Sequence, residues 1–299
     1  MIGAGEAAAL GGATCWAACS MCFSSAGKRV GSLSVNLTRL LMGMVFLTAI
    51  TAIARGLPLP LDATPTQWAY IGASGFIGFF LGDMVLFEAY VLIGPRLSVL
   101  VITTWPIFAA LLAIRYCNQH LNAYQWFGIV VTIAGVIAVL LVQRQSTRHA
   151  PNRKLMLGVT LALLGGLGQA IGYVLAQKGL DGYDAFSATQ IRLLAAVPGF
   201  ILVITFAKRW GSVREAFTSR KALGPLVAGT VAGPVLGVGL SMVALNAGTD
   251  VGVAGTLMAT APLSVIVLER VIHKTPICPK ALAGTLVAIA GVAILMLAA

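Results

Sequence analysis

Apolar residues fill this chain in blocks of about twenty, a length that lets a helix cross a hydrocarbon core about 30 Å thick. Ten such blocks can be drawn, at 7–25, 32–54, 68–91, 96–115, 123–142, 156–177, 185–207, 222–247, 251–270 and 280–298. Short polar stretches separate them and leave no room for an inserted soluble domain. Residues 1–10 carry Glu6 and no basic residue. The first block is therefore expected to be a span, not a cleaved leader.

The blocks repeat. Ile133-Ala134-Gly135-Val136 returns as Ile289-Ala290-Gly291-Val292, 156 positions later, and the same offset relates Gly128 to Gly284 and Pro106 to Pro262. Leu10-Gly11-Gly12 answers Leu164-Gly165-Gly166, and Arg39 answers Arg192 with slight slippage. Residues 1–143 and 155–299 form two halves joined by a basic linker, 144–154, with Pro151 inside it. Each half holds five spans. An odd number inverts the second half, so the expected fold is an all-α integral membrane protein of ten helices in two inverted five-helix repeats.

Composition agrees. Of 299 residues, 59% are hydrophobic and 10% charged. A soluble domain carries about 25% charged residues, so the lipid bilayer is the main solvent. The net charge of +11 lies in loops without interleaved aromatics, which argues against nucleic acid. Of the basic residues, fifteen fall in odd-numbered loops and only Arg55, Arg115 and Lys178 in even ones. By the positive-inside rule the odd loops face the cytoplasm and both termini lie outside.

Several chemistries lack their residues. His120, His149 and His273 all fall in loops, and no Walker A, H-E-x-x-H or G-x-S-x-G motif occurs. Cys15, Cys19 and Cys22 share one helix face and read as small residues at a helix contact. No metal and no cofactor are expected. Gly78 and Gly82, Gly168 and Gly172, and Gly229, Gly233 and Gly237 repeat every fourth residue, a spacing that lets helices pack closely or slide.

Ionisable residues at depth are the best candidates for function. Asp83 is the deepest acid and a candidate proton carrier. Arg39 is expected near the membrane surface, pairing with Glu88 or reaching to headgroups. Arg192 is its repeat mate, able to hold a carboxylate or phosphate but also placed shallowly. Pro106 and Pro262 sit mid-span and read as kinks, serving either as hinges or as packing devices. Trp16, Asp83, Thr104, Trp105, Gln169 and Thr260 are expected to line a central cavity, with Ser241 and Asn246 also polar at depth.

The ordered set resembles the drug/metabolite transporter superfamily, in particular ten-helix proteins with two EamA-type repeats. The residues that carry this are Trp16, Arg39, Thr104-Trp105-Pro106 and Gly128 with Ala134-Gly135-Val136 in half one. Half two supplies Arg192, Ala247-Gly248, Val251 to Leu257, Ala261-Pro262, Glu269 and Gly284 with Ala290-Gly291-Val292. Half one departs by having Ala113 and Arg115 where half two has Glu269. The resemblance implies secondary transport of a small-molecule substrate, often amino-acid export, in the inner cell membrane and with proton coupling as one option. It also implies both termini in the cytoplasm, opposite to the loop charges. An intramembrane lipid-handling enzyme and a channel are the competing classes. The helices offer an enzyme no histidine, and a channel needs no pair of mobile repeats.

Overall fold

The structure, a computed structural model, describes residues 3–117, 122–146, 152–180, 182–237, 240 and 257–297. All regular structure among them is helical. The first half runs α1 (Ala4–Val30), α2 (Ser32–Arg55), α3 (Pro65–Ser74), α4 (Asp83–Ile102), α5 (Trp105–Cys117) and α6 (Ala123–Ser146). The second runs α7 (Asn152–Leu180), α8 (Ala185–Phe206), α9 (Trp210–Thr218), α10 (Arg220–Thr230), α11 (Ala261–His273) and α12 (Pro279–Leu297). Seven continuous helical segments among the described residues are long and apolar enough to cross a membrane.

Two corners are set by glycine. Gly31, between α1 and α2, has φ 83 and ψ 152. Gly94 interrupts α4 with φ 79 and ψ 168, directly before Pro95. Only glycine adopts this region without strain. Open space surrounds both positions where a Cβ would stand, so the backbone angle alone requires glycine. Each corner reverses the chain in one residue and separates the first span from the second and the third from the fourth.

The inversion is visible in the packing of α6 against α12. A Cβ on Gly128 would stand 2.8 Å from the carbonyl oxygen of Gly291. A Cβ on Gly135 would stand 2.7 Å from the carbonyl oxygen of Gly284 and overlap the backbone of Ala288. As α6 advances, its partner on α12 retreats, so the helices are antiparallel. The offset of 156 converts one contact into the other, which places a pseudo-two-fold axis between them. The bare glycines let backbones touch, the main attraction available to helices in lipid.

The same symmetry relates two π-helical stretches, Gly75–Gly82 and Val231–Gly237. The first joins α3 to α4 and faces α7, with Gly82 against Gly168 and Gly78 against Gly172. The second follows α10 and faces α1, with Gly233 against Cys19 and Gly237 against Trp16. Both contacts join one half to the other. The cysteines on α1 thus pack as small residues at a helix crossing.

Two expectations need correction. Pro106 and Pro262 do not kink continuous helices. Each is the second residue of a new helix, α5 or α11, after a tight turn. A first-turn proline loses no hydrogen bond, so the chain breaks and restarts instead of bending. The seventh loop is not merely a short connection: it contains α9, which buries Val213 and Ala216 and leaves Trp210 and Phe217 exposed. That amphipathic face suits the membrane interface.

Candidate functional site

A buried polar cluster lies between the halves. Arg39 of α2 is 6% exposed and Asp83, the first residue of α4, 5%. The Arg39 Nη2 donates to Asp83 Oδ2 in a close ion pair. The other carboxylate oxygen accepts from Gln169 Nε2 of α7 at 2.7 Å. Gln169 also donates to the Gly78 carbonyl at 3.4 Å. Asn36, one turn before Arg39, receives a hydrogen bond from Arg39 Nε at 3.1 Å and donates to the Asp83 carbonyl at 3.2 Å. Both Asp83 oxygens are thereby satisfied, which an ion pair in this setting needs to offset its desolvation.

The expected Arg39–Glu88 pair is therefore corrected. Glu88 accepts a hydrogen bond from Ser32 Oγ at 2.5 Å, near the membrane surface. Arg39 is not a headgroup anchor. It is the eighth residue of α2, about 12 Å along a helix rising 1.5 Å per residue. Its Cζ lies 4.5 Å from the Phe87 ring centre and 5.9 Å from those of Phe23 and Phe79. Aromatic faces replace the water it has lost.

Arg192 is also deep. It is the eighth residue of α8, as Arg39 is of α2. The two helices enter from opposite faces, so depths of about 12 Å bring both guanidinium groups close to the middle of a core about 30 Å thick. Arg192 Cζ stacks 3.9 Å above the Phe79 ring, and the group is within electrostatic reach of Asp83. Glycines make this approach possible. A Cβ on Gly75 would overlap the Arg192 backbone, and one on Gly78 would stand 3.3 Å from Arg192 Nη2.

The remaining candidates divide. Trp105 packs on Tyr173 with ring centres 5.2 Å apart. Tyr173 lies one turn beyond Gln169 on α7, which connects Trp105 to the polar cluster. Thr104 and Thr260 sit at the turns before α5 and α11, each hydroxyl bonded to its own backbone. Trp16 is 40% exposed and packs on the second π-helical stretch. Cys19, one turn further along α1, is within electrostatic reach of Arg39 and Asp83. Ser241, Asn246 and residues 251–256 lie outside the described residues. Asn36, Phe79 and Tyr173 escaped the sequence reading, because an isolated Asn or aromatic on an apolar helix gives no signal by itself.

The two faces of the protein differ. At the even-loop face, Arg55 ends α2 and bonds Asp62 at 2.6 Å, with Asp184 at 3.8 Å. Arg55 also donates to Ser187, and Tyr183 Oη donates to Asp62 at 2.8 Å. Gln190 donates to the Pro58 carbonyl at 2.9 Å. These bonds tie the second loop to the sixth, across the halves. The hydroxyl of Tyr183 and the guanidinium of Arg55 hold the Asp62 carboxyl below its ordinary pKa. At the odd-loop face a cavity of about 280 Å³ opens instead, lined by Met21, Ser24, Lys28, Arg29, Pro95 and Glu269 among others.

Comparison with known proteins agrees with this architecture. A solved crystal structure of a protein superposes with a TM-score of 0.64 at 18% identity, covering 99% of this chain and 97% of that one. At that identity the likeness speaks for the fold alone. Among curated protein sequences none matches. The model of the EamA-like transporter family matches twice, over residues 3–141 and 156–297. With both five-helix halves matched in turn, the chain belongs to the EamA-like transporter family of the drug/metabolite transporter superfamily, as a multi-pass membrane transporter.

Proposed function

We propose that the protein is a secondary transporter that exports small organic metabolites, amino acids among them, across the inner cell membrane by alternating access. The observation that carries this reading is the cluster of Arg39, Asp83, Gln169 and Arg192, buried at its Arg39–Asp83 centre, which draws two members from each half. Inverted repeats place a transport site at their interface, where each half can close over it in turn. Charge that deep in an apolar protein is costly and is normally kept for function.

In this reading Thr104, Trp105, Gln169, Thr260 and Trp16 line the path, and Pro106 and Pro262 mark its two hinges. Asp83 couples transport to protons by trading its Arg39 partner for a proton. The bonded even-loop face is the closed gate, and the cavity at the odd-loop face is the open side. Loop charge makes that open side cytoplasmic. A reporter fused at residue 299 then reads out outside the cell, and a cytoplasmic readout reverses the assignment.

The function is tested with purified protein in two steps. A thermal-shift screen against metabolite classes identifies ligands, and the hits are followed as efflux from reconstituted vesicles. Saturable transport, accelerated by substrate on the opposite side, is expected. Flux that rises linearly without saturation marks a channel and overturns the proposal.

A further inference from the structure

The two halves contribute equivalent arginines but not equivalent acids. Arg39 and Arg192 occupy the same eighth position of α2 and α8. The starts of the two π-helical stretches, Gly75 and Val231, are 156 apart, and their glycine pairs, Gly78/Gly82 and Gly233/Gly237, are 155 apart. The mate of Asp83 is then Gly239 or Val238, neither of them an acid. Arg39 therefore has a carboxylate from its own half, and Arg192 has none at the matching place. Its Nε is buried with no hydrogen-bond partner, and among the described residues no acid lies within ion-pair distance of it. Asp83, the nearby acid, already has both oxygens occupied by Arg39 and Gln169.

Among the described residues the cluster thus carries two guanidinium charges and one carboxylate. A surplus cation deep in an apolar protein is expensive unless an anion joins it. A guanidinium is suited to bind a planar carboxylate through two parallel hydrogen bonds. Arg192 lies over the Phe79 ring and beside Gly78, whose carbonyl accepts from Gln169; Tyr173 follows Gln169 by one turn of α7 and packs on Trp105.

We propose that Arg192 is the docking point for the carboxylate of the transported molecule, whose apolar or aromatic body lies toward Tyr173 and Trp105. The substrate class is then an organic carboxylate. Its anionic group supplies to Arg192 what Asp83 supplies to Arg39. This rests on the transporter reading and narrows its substrate.

The test is ligand binding to purified protein in nanodiscs, read by thermal shift. The probes are phenylacetate, phenylalanine and benzoate, each paired with its uncharged-carboxyl amide, with inorganic phosphate as the other anion. Wild type should be stabilised by at least one of the carboxylates and not by the matching amide. Arg192→Gln should weaken that binding at least tenfold, and Arg192→Lys should retain part of it. Ligand-free Arg192→Gln should melt no lower than wild type, because the substitution removes a half-buried charge that no acid among the described residues pairs. That separates a lost docking group from a damaged fold. Four results overturn the assignment. These are amides binding as well as carboxylates, no carboxylate binding, phosphate binding alone, or Arg192→Gln binding unchanged. In each case saturable transport of some other compound by wild-type vesicles leaves the transporter reading standing. Loss of all saturable transport removes that reading as well.

Discussion

Thr104 and Thr260, 156 positions apart, make the same three hydrogen bonds. Each backbone N–H reaches the carbonyl three residues earlier, Val101 or Leu257, at 3.1 Å. Each carbonyl accepts from the amide three residues later, Ile107 or Leu263, at 2.9 Å. Each hydroxyl returns to the same Val101 or Leu257 carbonyl, at 2.8 and 2.6 Å. The two turns before Pro106 and Pro262 are therefore one local structure used twice, once in each orientation.

If these turns are the paired hinges, loss of one hydroxyl should unbalance them. Thr104→Val removes one hydrogen bond and keeps the shape, at about 1 kcal/mol of stability. Its larger effect should be on transport rate, with substrate affinity within a few-fold of wild type. Thr260→Val should do the same, and Thr104→Ser should restore the rate. Transport and affinity falling together would instead place Thr104 in the binding site.

The contact between α6 and α12 should be intolerant of any added atom. Gly135→Ala sets a methyl against the backbone of Ala288, which cannot rotate away. Separating the helices should cost about 1–3 kcal/mol, seen as a lower melting temperature in detergent. Gly128→Ala and Gly291→Ala should behave alike. Gly211→Ala, where nothing lies within 4 Å of the new Cβ, should be neutral. Equal melting temperatures across the set would contradict the packing described.

The Arg39–Asp83 pair gives a charge-balance prediction. Arg39→Gln strands Asp83, and breaking a buried pair from one side costs about 3–5 kcal/mol. Asp83→Asn strands Arg39, although Gln169 can still donate to the new amide oxygen. The double variant should recover a large part of the loss, because no lone charge of the pair remains. If Asp83 also carries the proton, Asp83→Asn should abolish gradient-driven transport and leave substrate exchange working. A double variant less stable than either single variant would show that the two act independently.

Much of this architecture was legible in the sequence because two signals are strong in it. Twenty-residue apolar blocks read as spans, and the repeated Ile-Ala-Gly-Val phrase marks the duplication, which five spans per half invert. The cluster was half legible. Burial cost marked Asp83 at once, but Arg39 and Arg192 looked shallow because each is only eight residues from a helix start. The one-residue corner at Gly31 starts α2 with no interfacial segment, so even its eighth residue is deep. The π-helical stretches were not legible. Their glycines fit ordinary close packing equally well, and nothing in the composition of these apolar stretches separates the wider i→i+5 turn from an α-turn.

The even-loop gate should hold through mild acid. The folded pKa of Asp62 lies below its ordinary value. Its stabilising contribution is therefore present above the ordinary carboxylate pKa of about 4 and lost as pH falls through the depressed value. From neutral pH to about pH 5 the gate should stay shut. A cysteine placed at Thr189, buried behind the gate, should resist an impermeant maleimide over that range. Asp62→Asn should expose it at neutral pH. Steady labelling of Thr189→Cys in the unmutated gate at neutral pH would show that these bonds do not close that face.

Reciprocal motion of the two faces is the most direct test of alternating access, and pulsed spin-label distances measure it. One label pair, at Leu61 and Lys178, spans the even-loop face, and another, at Lys28 and Ile277, spans the odd-loop face; all four residues are exposed. Introducing Asp62→Asn should lengthen the first distance and shorten the second in the same population of molecules. Two distances that stay fixed, or that lengthen together, would contradict a transporter whose inverted halves exchange conformations.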